Sequence, residues 1–497
     1  MLLLGIDVGT SSIKVSVTDA ATRRTLATAR FPDTETPIDA PHPGWAEQAP
    51  DLWWAHVQQA ILRAHASGAY QPEDIGAIGI AYQMHGLVMV NKAQEVLRPA
   101  IIWCDSRAVE IGEQAFAAIG TEQCLRRLLN APGNFTAAKL AWVKAHEPQV
   151  YAAAHQVMLP GDFIALRLTG QATTSVAALS EGIFWDFAHQ ELAEDVLQYF
   201  GFDRSLIPPV QPVFSSHGGV TAAVAKTLQL KPGTPVTYKA GDQPNNALSL
   251  NVLQPGEVAA TAGTSGVIYG VSDQLVYDAS SRINTFAHVN HSSAARRLGV
   301  LLCINGTGIL QRWVRDLLGH DLSYPHMNAA AATAPAGSAG LRVLPFGNGA
   351  ERMLQNRITG AQLQRIDLNL HTRAHVLRAV QEGIAFAFRY GLDIMRENGL
   401  SPSVIRAGQA NLFLSELFTT SFVNITGVPV ELYQTDGSVG AALGAGIGAG
   451  VFTAENAFER IAPVQLITPA AGATLEADYQ DWKQLLEQFT ASDAAKV

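Results

Sequence analysis

Gly5-Ile6-Asp7-Val8-Gly9-Thr10-Ser11-Ser12-Ile13-Lys14 closes one apolar segment, Met1 to Ile6, and opens another, Ile13 to Val17. The pattern predicts a strand, a tight turn and a returning strand. Glycines let such a turn present N–H groups to an anion, and the Thr and Ser hydroxyls add donors. Asp7 would repel a phosphate unless a cation stood between them, which suggests Mg²⁺ held with retained waters. The turn has an echo at Ala262-Gly263-Thr264-Ser265-Gly266, again after an apolar run from Val258. Either turn alone is an ordinary structural feature. As a pair, one in each half of the chain, they would grip a nucleotide from both sides. Lys14 would neutralise phosphate charge or stand as a solvated strand residue.

Working outward, the 497 residues predict two or more domains. Nearly half are hydrophobic and only 15% charged, which excludes a disordered chain. A formal charge of −9, with no basic run interleaved with aromatics, argues against nucleic-acid binding. Cys104, Cys124 and Cys303 lie far apart and form no Cys-x-x-Cys, so a reducing cytoplasm is the simplest setting. No apolar stretch approaches a membrane span. The N-terminus reads as a core strand, because Asp7 interrupts the apolar run early.

Strand and helix patterns alternate, which predicts an α/β architecture. Asp51 is the expected N-cap of a helix over Leu52 to His65. Strand-like runs cover Ile75 to Ala81, Leu87 to Asn91, Pro99 to Trp103, Thr234 to Ala240, Val300 to Ile304 and Val404 to Ala407. Helical patterns cover 108–130 and 137–168, a segment ending at Leu318, and Ala374 to Glu397. The two Gly-Thr-Ser turns point to a duplicated core divided near 245–255.

Asp242 follows a strand and a glycine. It is either a base for a hydroxyl or a turn aspartate capping backbone donors. Gln83-Met84-His85 and Trp103-Cys104-Asp105 each follow a β-rich run, where open α/β sheets present ligand contacts. Their side chains suit a polyhydroxylated molecule with one apolar face. The alternative is a satisfied histidine and a core tryptophan. His288-Val289-Asn290-His291 has no Cys or Glu nearby and reads as a polar loop. The Gly/Ala run over 437–450 predicts close helix packing, with an N-terminal end that could approach a nucleotide.

These residues together resemble the sugar and polyol kinases of the FGGY family, its xylulose-kinase branch in particular. The likeness covers nearly the whole chain and is sharpest at Gln83-Met84-His85-Gly86. The resemblance implies two actin-like (RNase H-like) domains, 1–248 and 249–497, with an interdomain cleft. It implies that the first domain binds the sugar and carries the base, and that the second binds ATP. By the same resemblance Asp242 is the catalytic base. Gln83, Met84, His85, Trp103, Asp105, Gln243 and Asn246 would contact sugar. Thr10, Ser11, Lys14, Gly263, Thr264, Ser265, Gly306, Gly408 and Asn411 would contact nucleotide, and Asp7 would face Mg²⁺, directly or through water. The expected reaction is ATP-dependent phosphorylation of D-xylulose in the cytoplasm, with a homodimer as the expected assembly. Another ketose or polyol, such as ribulose or glycerol, is the nearest alternative. An actin-like nucleotide-dependent binding protein is the alternative from a different class.

Two departures stand out. Asp242-Gln243 is closer to glycerol kinases than to the Asp-Asn of many xylulose kinases. Gly408-Gln409-Ala410-Asn411 replaces a run of glycines beside the expected adenosine.

Overall fold

A computed structural model describes residues 1–318, 322–472 and 475–494. The opening segment forms β1 (Leu2–Val8), which pairs antiparallel with β2 (Ile13–Asp19), and β2 pairs antiparallel with β3 (Thr25–Phe31). Two later strands, β4 (Ile75–Tyr82) and β5 (Val236–Gly241), add in parallel on the other side, giving the order β5-β4-β1-β2-β3.

The second half repeats the plan. Strands β6 (Glu257–Ala262), β7 (Gly266–Ser272), β8 (Asn284–Ala287) and β9 (Leu298–Ile304) are joined antiparallel. Strands β10 (Val404–Gly408) and β11 (Val430–Tyr433) add in parallel beside β6, and β12 (Gln465–Ile467) closes the edge. The order is β8-β9-β7-β6-β10-β11-β12. Its inner five strands match the first sheet position for position, as the paired Gly-Thr-Ser turns anticipated.

Side-chain alternation assigns the two faces of the first sheet. Leu2, Leu4, Ile6, Val15 and Val17 cluster with Trp53, Val57 and Ile61 of helix α1 (Pro50–His65). Leu3, Gly5 and Asp7 therefore face the other way. Asp51 is not the cap of α1. Pro50 occupies the first helical position, which its fixed φ suits, so the N-cap is Ala49 and Asp51 lies in the first turn. The long helical pattern at 137–168 is also broken, by a short strand at Gln156–Met158 that pairs with Val88–Val90.

Each core ends in a helix that leaves its own sheet. Helix α2 (Asp242–Ser249) follows β5, and its Ala247 joins Ala259, Tyr269 and Val271 of the second sheet in one apolar cluster. Helix α3 (Gly437–Gly448) follows β11 and lies on the first sheet, its Ala441, Ala442 and Ala445 clustering with Leu3, Ala77 and Ala81. The approach is very close. A Cβ on Gly5 would stand 1.8 Å from the Ser438 carbonyl oxygen, and one on Gly79 would stand 2.0 Å from that of Ala441. The two helices also touch, through Asn245 Nδ2 donating to the Gly437 carbonyl at 2.8 Å. Among the described residues, no helix is long and apolar enough to cross a membrane.

Candidate active site

Asp7 lies on the α3 face of β1, one residue before its end, and Lys14 is its cross-strand neighbour. The first residue of α3 meets it: a Cβ on Gly437 would lie 2.5 Å from Asp7 Oδ2. The positive end of α3 is thus aimed at the Asp7 carboxylate. Asp436 caps α3, its Oδ1 accepting from the N–H groups of Ser438 at 2.9 Å and Val439 at 3.1 Å. Burial pushes the Asp7 carboxyl up to about 6. The Lys14 charge opposes that shift and the Asp436 charge adds to it.

Asp242 opens α2 at the end of β5. Burial raises its carboxyl to about 7, the charge of Asp7 raises it further, and hydrogen bonds from Gln243 hold it back. Asp7 feels the charge of Asp436 and Asp242 feels that of Asp7, so the carboxyls mark a place where a cation would relieve repulsion. Among the described residues, no group of three or more His, Cys, Asp or Glu side chains could hold a metal. An Mg²⁺ ion would therefore have few protein oxygens and would complete its shell with water and phosphate, which fits its habit.

The sugar-suited residues gather beside this pair. Gln83, buried, donates to Gln48 Oε1 at 3.2 Å and accepts from the Thr10 hydroxyl at 3.2 Å. Thr10 Oγ1 in turn accepts from Trp103 Nε1 at 3.0 Å, while the Trp103 ring is half exposed. The Thr10 hydroxyl is thereby tied to Gln83 and Trp103, leaving Ser11 and Lys14 as the freer groups of the first turn. Met84 packs against the backbone before Asp242: a Cβ on Gly241 would lie 2.6 Å from Met84 Cγ. His85 adopts a left-handed φ of 61°. Its carbonyl accepts from the buried Lys139 ammonium at 2.8 Å. Burial first, then the Lys139 charge, lowers its imidazole to about 3, so the ring is neutral at physiological pH.

Asp105 departs from its expected role. It is fully buried, its Oδ2 accepts from Ala46 N at 2.6 Å, and Arg107 binds both of its oxygens. The Arg107 guanidinium also lies 3.7 Å from the centre of the Trp45 ring. Asp105 is a brace of the Trp103 loop and has no acceptor left for a sugar. Asp105→Ala is expected to lower stability by about 3–5 kcal/mol, as when one partner of a buried pair is removed. Chemical denaturation checks this.

The second Gly-Thr-Ser turn borders a cavity of about 580 Å³. Gly263 and Thr264 line it, with Ile309 and Arg312 of the helix Gly308–Leu318, and Asn328, Asn411 and Ser415 are among its other lining residues. The Gly263 carbonyl accepts from Gly308 N at 2.8 Å, docking the turn onto that helix. Ser265, Gly306 and Gly408 do not border the cavity. Gly306 is required by packing, since a Cβ there would lie 1.6 Å from the Pro345 carbonyl oxygen. His288 follows β8 outside any helix but is wholly buried, its ring bonded to Tyr269 OH at 2.9 Å and to the Val252 carbonyl at 3.0 Å, so the expected polar loop is a core turn at this residue.

Sequence reasoning missed Asp436, Arg312, Asn328 and Ser415. For Asp436 the signal was present: an aspartate directly before Gly-Ser-Val and a small-residue run is an N-cap pattern. The cavity-wall residues come from separate helices and loops, and no local motif joins them.

Comparison with known proteins assigns both halves. Residues 2–249 match the N-terminal domain of the FGGY family of carbohydrate kinases and residues 258–451 its C-terminal domain. The xylulose kinase of Escherichia coli K12 is 29% identical over 449 residues, 89% of this chain and 88% of that protein. The xylulose kinase of Streptomyces rubiginosus is 30% identical over 406 residues, 81% and 78% of the two chains. The crystal structure of the Rhodospirillum rubrum xylulose kinase superposes with a TM-score of 0.87 at 26% identity, covering 99% of this chain and 100% of that one. The Plasmodium falciparum glycerol kinase reaches the same TM-score at 18% identity, which speaks to the fold alone.

Proposed function

The chain belongs to the FGGY family of carbohydrate kinases, and from that premise we propose that it transfers the γ-phosphoryl group of ATP to the 5-hydroxyl of D-xylulose. The observation that carries this reading is the packing of Met84 against the Gly241 backbone, which brings the Gln83-Met84-His85 segment beside Asp242. The xylulose kinases among its relatives span most of the chain.

The sugar occupies residues 1–248, against Trp103, Gln83, Met84 and His85, with Gln243 and Asn246 on α2. ATP occupies the cavity in residues 249–497, its phosphates running toward the two Gly-Thr-Ser turns. Asp242 accepts the hydroxyl proton as the sugar oxygen bonds to the γ-phosphorus and the bond from that phosphorus to the β-phosphate oxygen breaks. The neutral His85 and the amide of Gln83 hold sugar hydroxyls without competing for that proton. Lys14 and the positive end of α3 stabilise charge on the transferring group. Asp7 would hold Mg²⁺, which when bound would supply neutralisation of the nucleotide phosphates.

The proposal is tested by ADP release over a panel of ketoses and polyols. D-xylulose should give the highest kcat/KM. A preference for glycerol or another polyol would favour the reading that the Asp242-Gln243 pair suggests, and sugar-independent ATP hydrolysis alone would overturn kinase action. With the Asp242 carboxyl raised to about 7, the base is protonated in mild acid. The kcat/KM for sugar should therefore rise with pH through about 7 and level off above it. A profile already flat from pH 5 would remove Asp242 as the titrating base.

A further inference from the structure

We infer that Glu181 is the positioning residue that fixes the His85 turn and ring for the sugar, an inference that rests on reading His85 as a sugar contact. Glu181 ends the helix Val176–Glu181 and is almost wholly buried. Its carboxyl Oε1 accepts from His85 N at 3.1 Å, and its own carbonyl accepts from His85 Nδ1 at 3.1 Å. One residue thus holds the histidine at both the backbone and the ring.

The second contact decides the tautomer. A carbonyl only accepts, so Nδ1 carries the hydrogen and Nε2 is left as an acceptor for a hydroxyl. The backbone contact holds the left-handed φ of 61°, a conformation that side-chain-bearing residues seldom adopt unsupported. Phe135 at 4.8 Å and Phe286 at 5.3 Å flank the ring, the latter from β8 of the second half. The neighbouring Ser180 ties the same helix to that strand, its hydroxyl accepting from Ala287 N at 2.9 Å.

The other carboxyl oxygen lies beside the Gly241 backbone. A Cβ on Gly241 would lie 2.7 Å from Glu181 Oε2, so the side chain packs against the backbone that delivers Asp242. Burial, with the charges of Asp242 and Asp162 added, raises the Glu181 carboxyl well above the usual carboxylate range. Toward His85 N its carboxyl acts as an acceptor, a part that the amide oxygen of glutamine can imitate.

Steady-state kinetics on the full-length enzyme, with nitrogen NMR of ¹⁵N-histidine-labelled protein, test the assignment. Glu181→Ala should raise the KM for D-xylulose about tenfold, the effect of one hydrogen bond, with the KM for ATP unchanged. The His85 backbone amide resonance should move as its side-chain acceptor is lost, while the Nδ1–H pattern, held by the Glu181 main-chain carbonyl, should persist. Glu181→Gln should restore both readouts. Glu181→Met, which fills the space without the acceptor, should behave as Glu181→Ala and serves where the alanine variant does not fold. An unchanged sugar KM in Glu181→Ala and Glu181→Met, or a Glu181→Gln variant as impaired as they are, would overturn the inference. An unchanged sugar KM in His85→Ala would instead overturn the sugar-contact reading, and the His85 backbone amide signal in the Glu181 variants would still decide whether the clamp exists.

Discussion

Asp242→Ala should lower kcat by about 10²–10⁴-fold, the range over which a positioned base contributes, while ATP binding measured by calorimetry stays near that of the parent. The separation follows from geometry. Asp242 stands at the junction of β5 and α2, next to the backbone against which Met84 packs, and it is absent from the wall of the 580 Å³ cavity. Asp242→Asn should be nearly as inactive, because the amide keeps the shape and cannot take the proton. The same variant should be more stable than the parent at pH 8. The folded-state carboxyl sits at about 7, above its unfolded value near 3.9. The folded state therefore binds the extra proton between about pH 4 and 7, so stability falls as pH rises through that window. Removing the charge removes a penalty on the order of 2–4 kcal/mol above pH 7. A variant that kept near-parental turnover, or one that lost stability at pH 8, would count against this account of Asp242.

Gly5→Ala and Gly79→Ala should each cost on the order of 3 kcal/mol or more. A methyl group at either position meets backbone of α3, the Ser438 carbonyl at 1.8 Å or the Ala441 carbonyl at 2.0 Å, and backbone cannot turn aside as a flexible side chain can. To fit the methyl, α3 must lift from the sheet. Its first turn would then leave Asp7, so ATP-dependent turnover should fall together with the denaturation midpoint. Gly408→Ala is the matched control. A Cβ there meets nothing within 4 Å and the backbone is not left-handed, so its stability should stay within about 0.5 kcal/mol of the parent. Equal effects at all three positions would refute the close-packing account.

The repeated core was legible because both halves begin with an apolar strand ending in Gly-Thr-Ser, and turn chemistry of that kind is local. The position of Asp242 and of the Gln83-Met84-His85 group was legible for the same reason, each lying just past a strand end. Asp105 was misread because burial depends on a distant partner. Nothing near it in sequence announces that the Ala46 N–H joins Arg107 in occupying both its oxygens. Thr10 is similar: its hydroxyl is committed to Gln83, 73 positions away. Glu181 lay outside any motif, since its partner is the backbone of a turn 96 positions earlier. The cavity wall was opaque because it is assembled from separate helices and loops.

The crossing of α2 and α3 has a consequence for how the chain is made. The first sheet is complete as a hydrogen-bonded unit once β5 has emerged from the ribosome, yet the face bearing Leu3, Gly5, Ala77 and Gly79 waits for residues 437–448. Throughout that interval an apolar surface is open to solvent and to other nascent chains, and the final closure is a contact of very high sequence separation. A ribosome-bound chain stalled before α3 should bind chaperones and yield to protease along β1 and β4. Supplying a separately synthesised second half should rescue the first, making the enzyme a natural candidate for two-fragment complementation.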